Sequence, residues 1–181
     1  MFARTQRLLL RPGWREDAPA LARAISDEAV VRNLSRVPWP YGLKEAEAFL
    51  DQPHGDLSRL LVFQRTAGAP RLVGGIGLHR DENGEAELGY WITRSCWGLG
   101  FATEAGRAVI DMARRSLRLP RLVAGHALDN PASGNVLRKL GFRPTGRVVA
   151  RHSKARGGPM DCAEFALTLS EEGDPLVKLA A

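Results

Sequence analysis

Residues 85–104, EAELGYWITRSCWGLGFATE, constrain this chain more than any other stretch. Polar and apolar residues alternate with a period of two through Ile92, as in a half-buried strand. The alternation breaks at Trp97-Gly98, passes a second glycine at Gly100, and gives way to a helical pattern from Phe101. Strand, glycine turn and helix together make an anion-binding arrangement. The first helical turn leaves backbone N–H groups without intrahelical partners, and the helix dipole adds partial positive charge. The run W-G-L-G-F-A lacks the third glycine and downstream acid of a dinucleotide fingerprint and the G-K-[ST] of a P-loop, so by itself it names no ligand.

A chain of 181 residues suits one domain, read here as residues 1–170 with a short tail at 171–181 that is polar and acidic at first. Hydrophobic content of 44% and charged content of 25% are those of an ordinary globular protein. No apolar run reaches the length of a membrane span. The opening MFARTQRLLLRP places two arginines before an apolar run, as a signal peptide does, but Arg11 and Pro12 interrupt it and a first strand is expected instead. Cys96 and Cys162 are too few for a disulfide framework and lack metal-ligand spacing, which favours a reducing cytoplasm and no bound metal. The net charge of +6 is spread from Arg4 to Arg156. Such scatter reads as genome composition rather than as a nucleic-acid surface or a membrane-facing patch.

Along the chain, a strand at 8–10 precedes a helix at 16–26 with an apolar stripe at Ala20, Leu21, Ala24 and Ile25. Residues 33–42 carry two prolines, Trp39 and Tyr41 with no period and read as a loop walling a substrate site or packing on the core. A helix at 44–50, stopped by Pro53 and Gly55, leads into an antiparallel meander at 60–64, 72–78 and 85–92, with a turn at Asn83-Gly84. A helix at 101–117, a strand at 122–127, a helix at 131–140 ended by Gly141, and two strands within 148–168 complete the order. This predicts a single α/β (α+β) domain with a mixed, mostly antiparallel sheet and helices on both faces.

Four blocks carry a resemblance: Gly89-Tyr90-Trp91-Ile92; Trp97-Gly98-Leu99-Gly100-Phe101-Ala102-Thr103-Glu104-Ala105; Asn130-Pro131-Ala132-Ser133; and Leu137 to Phe142, LRKLGF. In this order they resemble the GCN5-related N-acetyltransferase (GNAT) superfamily, and within it the RimJ/RimL branch of ribosomal-protein N-acetyltransferases. The resemblance implies acetyl-CoA as co-substrate and direct acetyl transfer to a primary amine. A protein N-terminal α-amine is one acceptor; small-molecule and antibiotic amines are others, and homodimers are common in the branch. It implies a cofactor site where the strands at 85–92 and 122–127 splay, with Trp91, Ile92 and Thr93 along the pantetheine. Leu99, Gly100, Phe101, Ala102 and Thr103 would cradle the pyrophosphate, the anion site already read from the turn. Asn130 and Ser133 match positions that meet the cofactor arm, although Asn130 also suits a helix N-cap. Lys139, with Arg138, would meet the CoA 3′-phosphate or simply complement the helix dipole.

The chemistry needs a neutral amine, a base, an oxyanion donor and a proton for the leaving thiolate. The resemblance suggests the Ile92 N–H as the oxyanion donor. Many members carry a tyrosine as proton donor where this chain has Leu137, so Ser133 is the expected substitute. Glu87, on the strand face of Glu85, Gly89 and Trp91, and His152 are the candidate bases, each weighed against an ordinary exposed side chain. Cys96 has no adjacent histidine and reads as packing. Two other readings stay open: a CoA-binding module without turnover, and a nucleic-acid binder using the basic surface.

Overall fold

The expected alternation of strand and helix periods closes on one eight-stranded sheet sandwiched by helices. A computed structural model describes residues 2–53 and 57–169. Gly55 and the tail at 171–181 lie outside the described residues. The elements are β1 (Ala3–Arg4), β2 (Leu8–Arg11), α1 (Ala18–Ile25), α2 (Glu28–Val31), α3 (Leu43–Leu50), β3 (Arg59–Gln64), β4 (Arg71–Arg80), β5 (Ala86–Ile92), α4 (Phe101–Arg115), β6 (Arg121–Ala127), α5 (Pro131–Lys139), β7 (Arg143–Ser153) and β8 (Gly158–Thr168). The strand order is β1-β2-β3-β4-β5-β6-β8-β7. Neighbours run antiparallel throughout except β5 and β6, which are parallel.

The two sheet faces bury separate cores. On one, α4 contributes Phe101, Ala105, Val109 and Met112 and α5 contributes Leu137 and Leu140, packed against Leu8, Val62, Ile76, Leu88, Leu122 and Phe165. On the other, α1, α2 and α3 bring Leu21, Ile25, Val30 and Ala46 onto Leu61, Phe63 and Leu72. A smaller cluster of Ala127, Met160 and Cys162 lies further along that second face. Strand parity explains the split, because successive side chains point to opposite faces. Thus Leu60 and Val62 enter the first core while Leu61 and Phe63 enter the second.

Several expected boundaries move. The helix expected at 16–26 opens with a 3-10 turn at Arg15–Asp17 and becomes α-helical at Ala18, with Pro19 in its first turn where a missing N–H costs nothing. Helix α2 had no period to announce it; Asp27 caps it by accepting from the Ala29 N–H at 2.9 Å. Strand β7 starts five residues before the expected 148, because the register shift between Pro144 and Val148 hides its alternation. Helix α5 ends as expected, with Gly141 in the left-handed region at φ 89°. Cys96 and Cys162 are both free and buried.

Leu137, fully buried on α5 against α4 and the sheet, tests this packing. Leu137→Ala should cost about 2–5 kcal/mol of unfolding free energy, measured by denaturant titration.

Candidate active site

The cleft forms because the only ladder pair between β5 and β6 is Glu87↔Val123. Thr93 N–H bonds the Val73 carbonyl at 2.9 Å, while Ile92 stands opposite Gly74. Hydrogen-bonded and non-hydrogen-bonded pairs alternate in an antiparallel ladder, so Tyr90 and Ile92 turn their N–H and C=O groups away from β4 toward β6. Past Glu87↔Val123 those groups meet no β6 partner and line an opening between the strands. Trp97 closes its outer end by donating Nε1–H to the Ile92 carbonyl at 2.7 Å. Trp97 therefore braces the turn, and the Ile92 N–H remains directed at the cleft.

The glycine turn sits at the mouth of this opening. Gly98 and Gly100 have φ of 77° and 80°, and Gly100 is the N-cap of α4. A side chain at Gly100 would be strained in this left-handed conformation. Sequence reasoning missed how the turn is held. Glu104, in the first turn of α4, accepts from the Thr5 hydroxyl at 2.6 Å, from Arg7 N–H at 2.9 Å and from Arg7 Nε at 2.7 Å. Arg7 Nη1 then donates to the Leu99 carbonyl at 3.0 Å, and its guanidinium lies 4.8 Å from the Phe101 ring centre. Burial would raise the Glu104 carboxyl, but its bonds from Thr5 and Arg7 hold it below the usual 4.5. Phe101 is buried, Ala102 and Thr103 are half-buried, and Leu99 is exposed.

On the α4/α5 face, Asn130 caps α5 by accepting from the Ser133 N–H at 3.4 Å. The Ser133 hydroxyl lies 2.7 Å from the Tyr90 hydroxyl, which is also 3.1 Å from the Ser133 carbonyl. Burial pushes the Tyr90 hydroxyl up to about 12, against a smaller pull from its bond to Ser133, so the phenol stays protonated at neutral pH. Parity placed Tyr90 among apolar residues, and nothing local in sequence linked it to Ser133. Lys139 and Arg138 are exposed at the end of α5.

Glu87 lies on the opposite face and is 4% exposed, which excludes an ordinary surface glutamate. Its Oε2 meets His79 Nε2 at 3.2 Å, and its Oε1 accepts from Arg151 Nη1. Burial alone would raise the Glu87 carboxyl; the hydrogen bond from His79 and the charge of Arg151 outweigh it and hold the group below 4.5. Arg151 reaches from β7 past β8 and β6, over Gly125, where a Cβ would stand in ordinary contact at 3.6 Å from the guanidinium carbon. His79 is Glu87's cross-strand partner in the β4–β5 hairpin. Counting outward from a two-residue Asn83-Gly84 turn would have paired Glu87 with Arg80; the observed register, with Asp81 N–H on the Glu85 carbonyl, moves the pairing to His79, and Arg151 carries no local signal. His152 is exposed and points to the other face from Arg151 by strand parity. The structure thus brings Tyr90 and Ser133 together on one face and His79, Glu87 and Arg151 on the other, and leaves His152 apart.

A second charge cluster walls the Glu87 face. Arg156, in the β7–β8 turn, pairs with Asp129 through two contacts at 2.9 and 3.0 Å and donates to the Arg32 carbonyl at 2.7 Å. Arg32 meets Asp129 at 3.2 Å. The buried Ser153 hydroxyl donates to the Leu34 carbonyl at 2.9 Å, and Lys154 N–H to that of Ser35 at 3.0 Å. The last two strands are thereby fastened to the start of the 33–42 loop. Among the described residues no group of three or more His, Cys, Asp or Glu stands in metal-binding proximity.

Comparison with known proteins places this geometry. The "Acetyltransferase (GNAT) domain" family model matches residues 7–143. The chain belongs to this family. It is 30% identical over 172 residues to the N-acetyltransferase p20 of Bacillus licheniformis, covering 92% of this chain and 96% of that protein. It is 38% identical over 73 residues to the ribosomal-protein-serine acetyltransferase of Escherichia coli, covering 39% of this chain and 41% of that protein. The solved structure of the ribosomal L7/L12 α-N-protein acetyltransferase RimL with coenzyme A superposes with a TM-score of 0.77 at 20% identity, covering 93% of this chain and 98% of that one. That last likeness shows the fold. The chain is an N-acetyltransferase of the GNAT fold with RimL-like relatives.

The ion-paired Glu87 has a measurable consequence. Because its folded-state value is lowered, pairing stabilises the fold above the ordinary 4.5 and is lost as pH falls through the lowered folded value. Glu87→Gln should unfold at lower temperature than the parent at pH 7, with the gap closing below about pH 4.5 in a series of thermal melts.

Proposed function

We propose that this enzyme transfers the acetyl group of acetyl-CoA to a primary amine, with a protein N-terminal α-amine as the acceptor. The observation that carries the reading is the opening between β5 and β6 beyond Glu87↔Val123, ending at the Gly98–Gly100 turn and the α4 N-terminus. The turn suits a pyrophosphate. Backbone groups of Tyr90 and Ile92 suit the amide-bearing pantetheine arm, for which Trp91, Ile92 and Thr93 form the strand side and Asn130 and Ser133 the α5 side. Lys139, exposed at the end of α5, would meet the 3′-phosphate.

Within this reading the Ile92 N–H receives the developing oxyanion. Ser133 protonates or hydrogen-bonds the departing sulfur. When Tyr90 donates its proton to the Ser133 oxygen, the Ser133 hydrogen is left free for that task. The phenol of Tyr90 stands in for the tyrosine that Leu137 replaces, reaching the same region from the strand instead of the helix. The acceptor enters from the Glu87 face, between the 33–42 loop and the β7–β8 hairpin.

The α-amine preference follows from acid–base chemistry and from the E. coli relative's name. At pH 7.5 an α-amine with pKa near 8 has a neutral fraction roughly 200-fold larger than a lysine near 10.4. Millimolar acetyl-CoA should raise the melting temperature, by about 2.7 kcal/mol of stabilisation at one hundred times Kd. Gly100→Glu should remove that shift, while Gly100→Ala, equally strained but uncharged, should keep part of it. In a thiol-release assay, a serine-terminated peptide should turn over and its N-acetylated form should not. Equal rates for the two peptides would place the acceptor on a side chain.

A further inference from the structure

Glu87 is badly arranged to take a proton from an amine, and its neighbour His79 is well arranged. Both carboxylate oxygens of Glu87 are engaged by cationic or donor groups, and its side chain is 6% exposed against 35% for His79. Protonating Glu87 would leave the Arg151 guanidinium facing a neutral group in a half-buried site. Nε2 lies 3.2 Å from Glu87 Oε2, a carboxylate that can only accept, which favours the hydrogen on Nε2 and the lone pair on Nδ1. Among the described residues Nδ1 has no hydrogen-bond partner. The Cε1–Nδ1 edge lies over Gly89: a Cβ there would meet Cε1 at 3.6 Å and Nδ1 at 3.9 Å. Gly89 is two residues past the last β5–β6 ladder pair, where the cleft begins, on the face from which the acceptor enters.

We propose that His79 is the general base of acetyl transfer, with Glu87 as its orienting carboxylate and Arg151 as the counter-ion that keeps Glu87 ionised and in place. The inference rests on the acetyl-transfer reading. As the amine nitrogen bonds to the acetyl carbonyl carbon, its proton passes to His79 Nδ1. The C–S bond then breaks with its electron pair on sulfur, sulfur takes a proton through the Ser133 hydroxyl, and the Ser133–Tyr90 pair regains one from solvent. The imidazolium, stabilised by Glu87, returns its proton to solvent along its exposed edge. Glu87 and Arg151 are positioning residues; only His79 touches the acceptor.

The test has two arms. Without any acceptor, 15N NMR of the full chain at pH 8, with His79 identified by loss of its signal in His79→Gln, should show an Nε2–H ring. An Nδ1–H ring overturns the dyad. With acetyl-CoA and a serine-terminated peptide, His79→Gln should lower kcat about 100-fold or more and leave the KM for acetyl-CoA unchanged. Free imidazole should restore at least tenfold to His79→Ala. Parental kcat in His79→Gln, or no rescue in a His79→Ala protein that still shows the acetyl-CoA melting shift, overturns the proposal. If the parent binds acetyl-CoA but turns over no amine, the transfer reading fails instead, and the tautomer decides whether the dyad exists.

Discussion

Everything at the active site depends on two parallel strands that pair once and then part. A sheet with a continuous β5–β6 ladder would have consumed the N–H and C=O groups of Tyr90 and Ile92 in backbone bonding. Stopping the ladder at Glu87↔Val123 leaves the Tyr90 groups and the Ile92 N–H to a ligand, the Ile92 carbonyl being taken by Trp97. Glycine at 98 and 100 lets the chain turn at the end of the cleft, and Glu104 secures the turn to the N-terminal strand through Thr5 and Arg7. The glycine turn is therefore held by the connection between β1 and β2, 97 residues away in sequence.

The cleft also separates the chemistry by face. Parity on β5 sends Tyr90 to α5 and Glu87 to the face of α1 and α3, one position class for each proton transfer. In the proposed mechanism the donor to sulfur and the His79 base, held by Glu87, then work on opposite sides of the thioester without neutralising each other. Titrating groups kept apart by a sheet need no distance in sequence: Glu87 and Tyr90 are three residues from one another.

Much of this was legible in the sequence, for reasons that differ by residue. Alternation and the Asn83-Gly84 turn announced the meander, and helix period with Pro131 and Gly141 bounded α5. The glycine turn into α4 was readable because positive φ at glycine and a helix start are local backbone properties. What resisted reading was long-range. Arg151 meets Glu87 across 64 positions of sequence, and the Arg156–Asp129–Arg32 cluster joins three loops with no shared pattern. Helix α2 is too short for a period, and the irregular register near Pro144 masks the start of β7. His79 escaped by one position, since a two-residue turn at Asn83-Gly84 would pair Glu87 with Arg80.

Gly125 has a mechanical consequence. It lies on β6 beneath the guanidinium of β7 as that group grips a carboxylate on β5, so the two ends of the pair sit on strands separated by β6 and β8. The pair acts as a rivet at the root of the fork. The carboxylate at the root of the cleft is thereby anchored from the edge strand of the sheet, across two intervening strands.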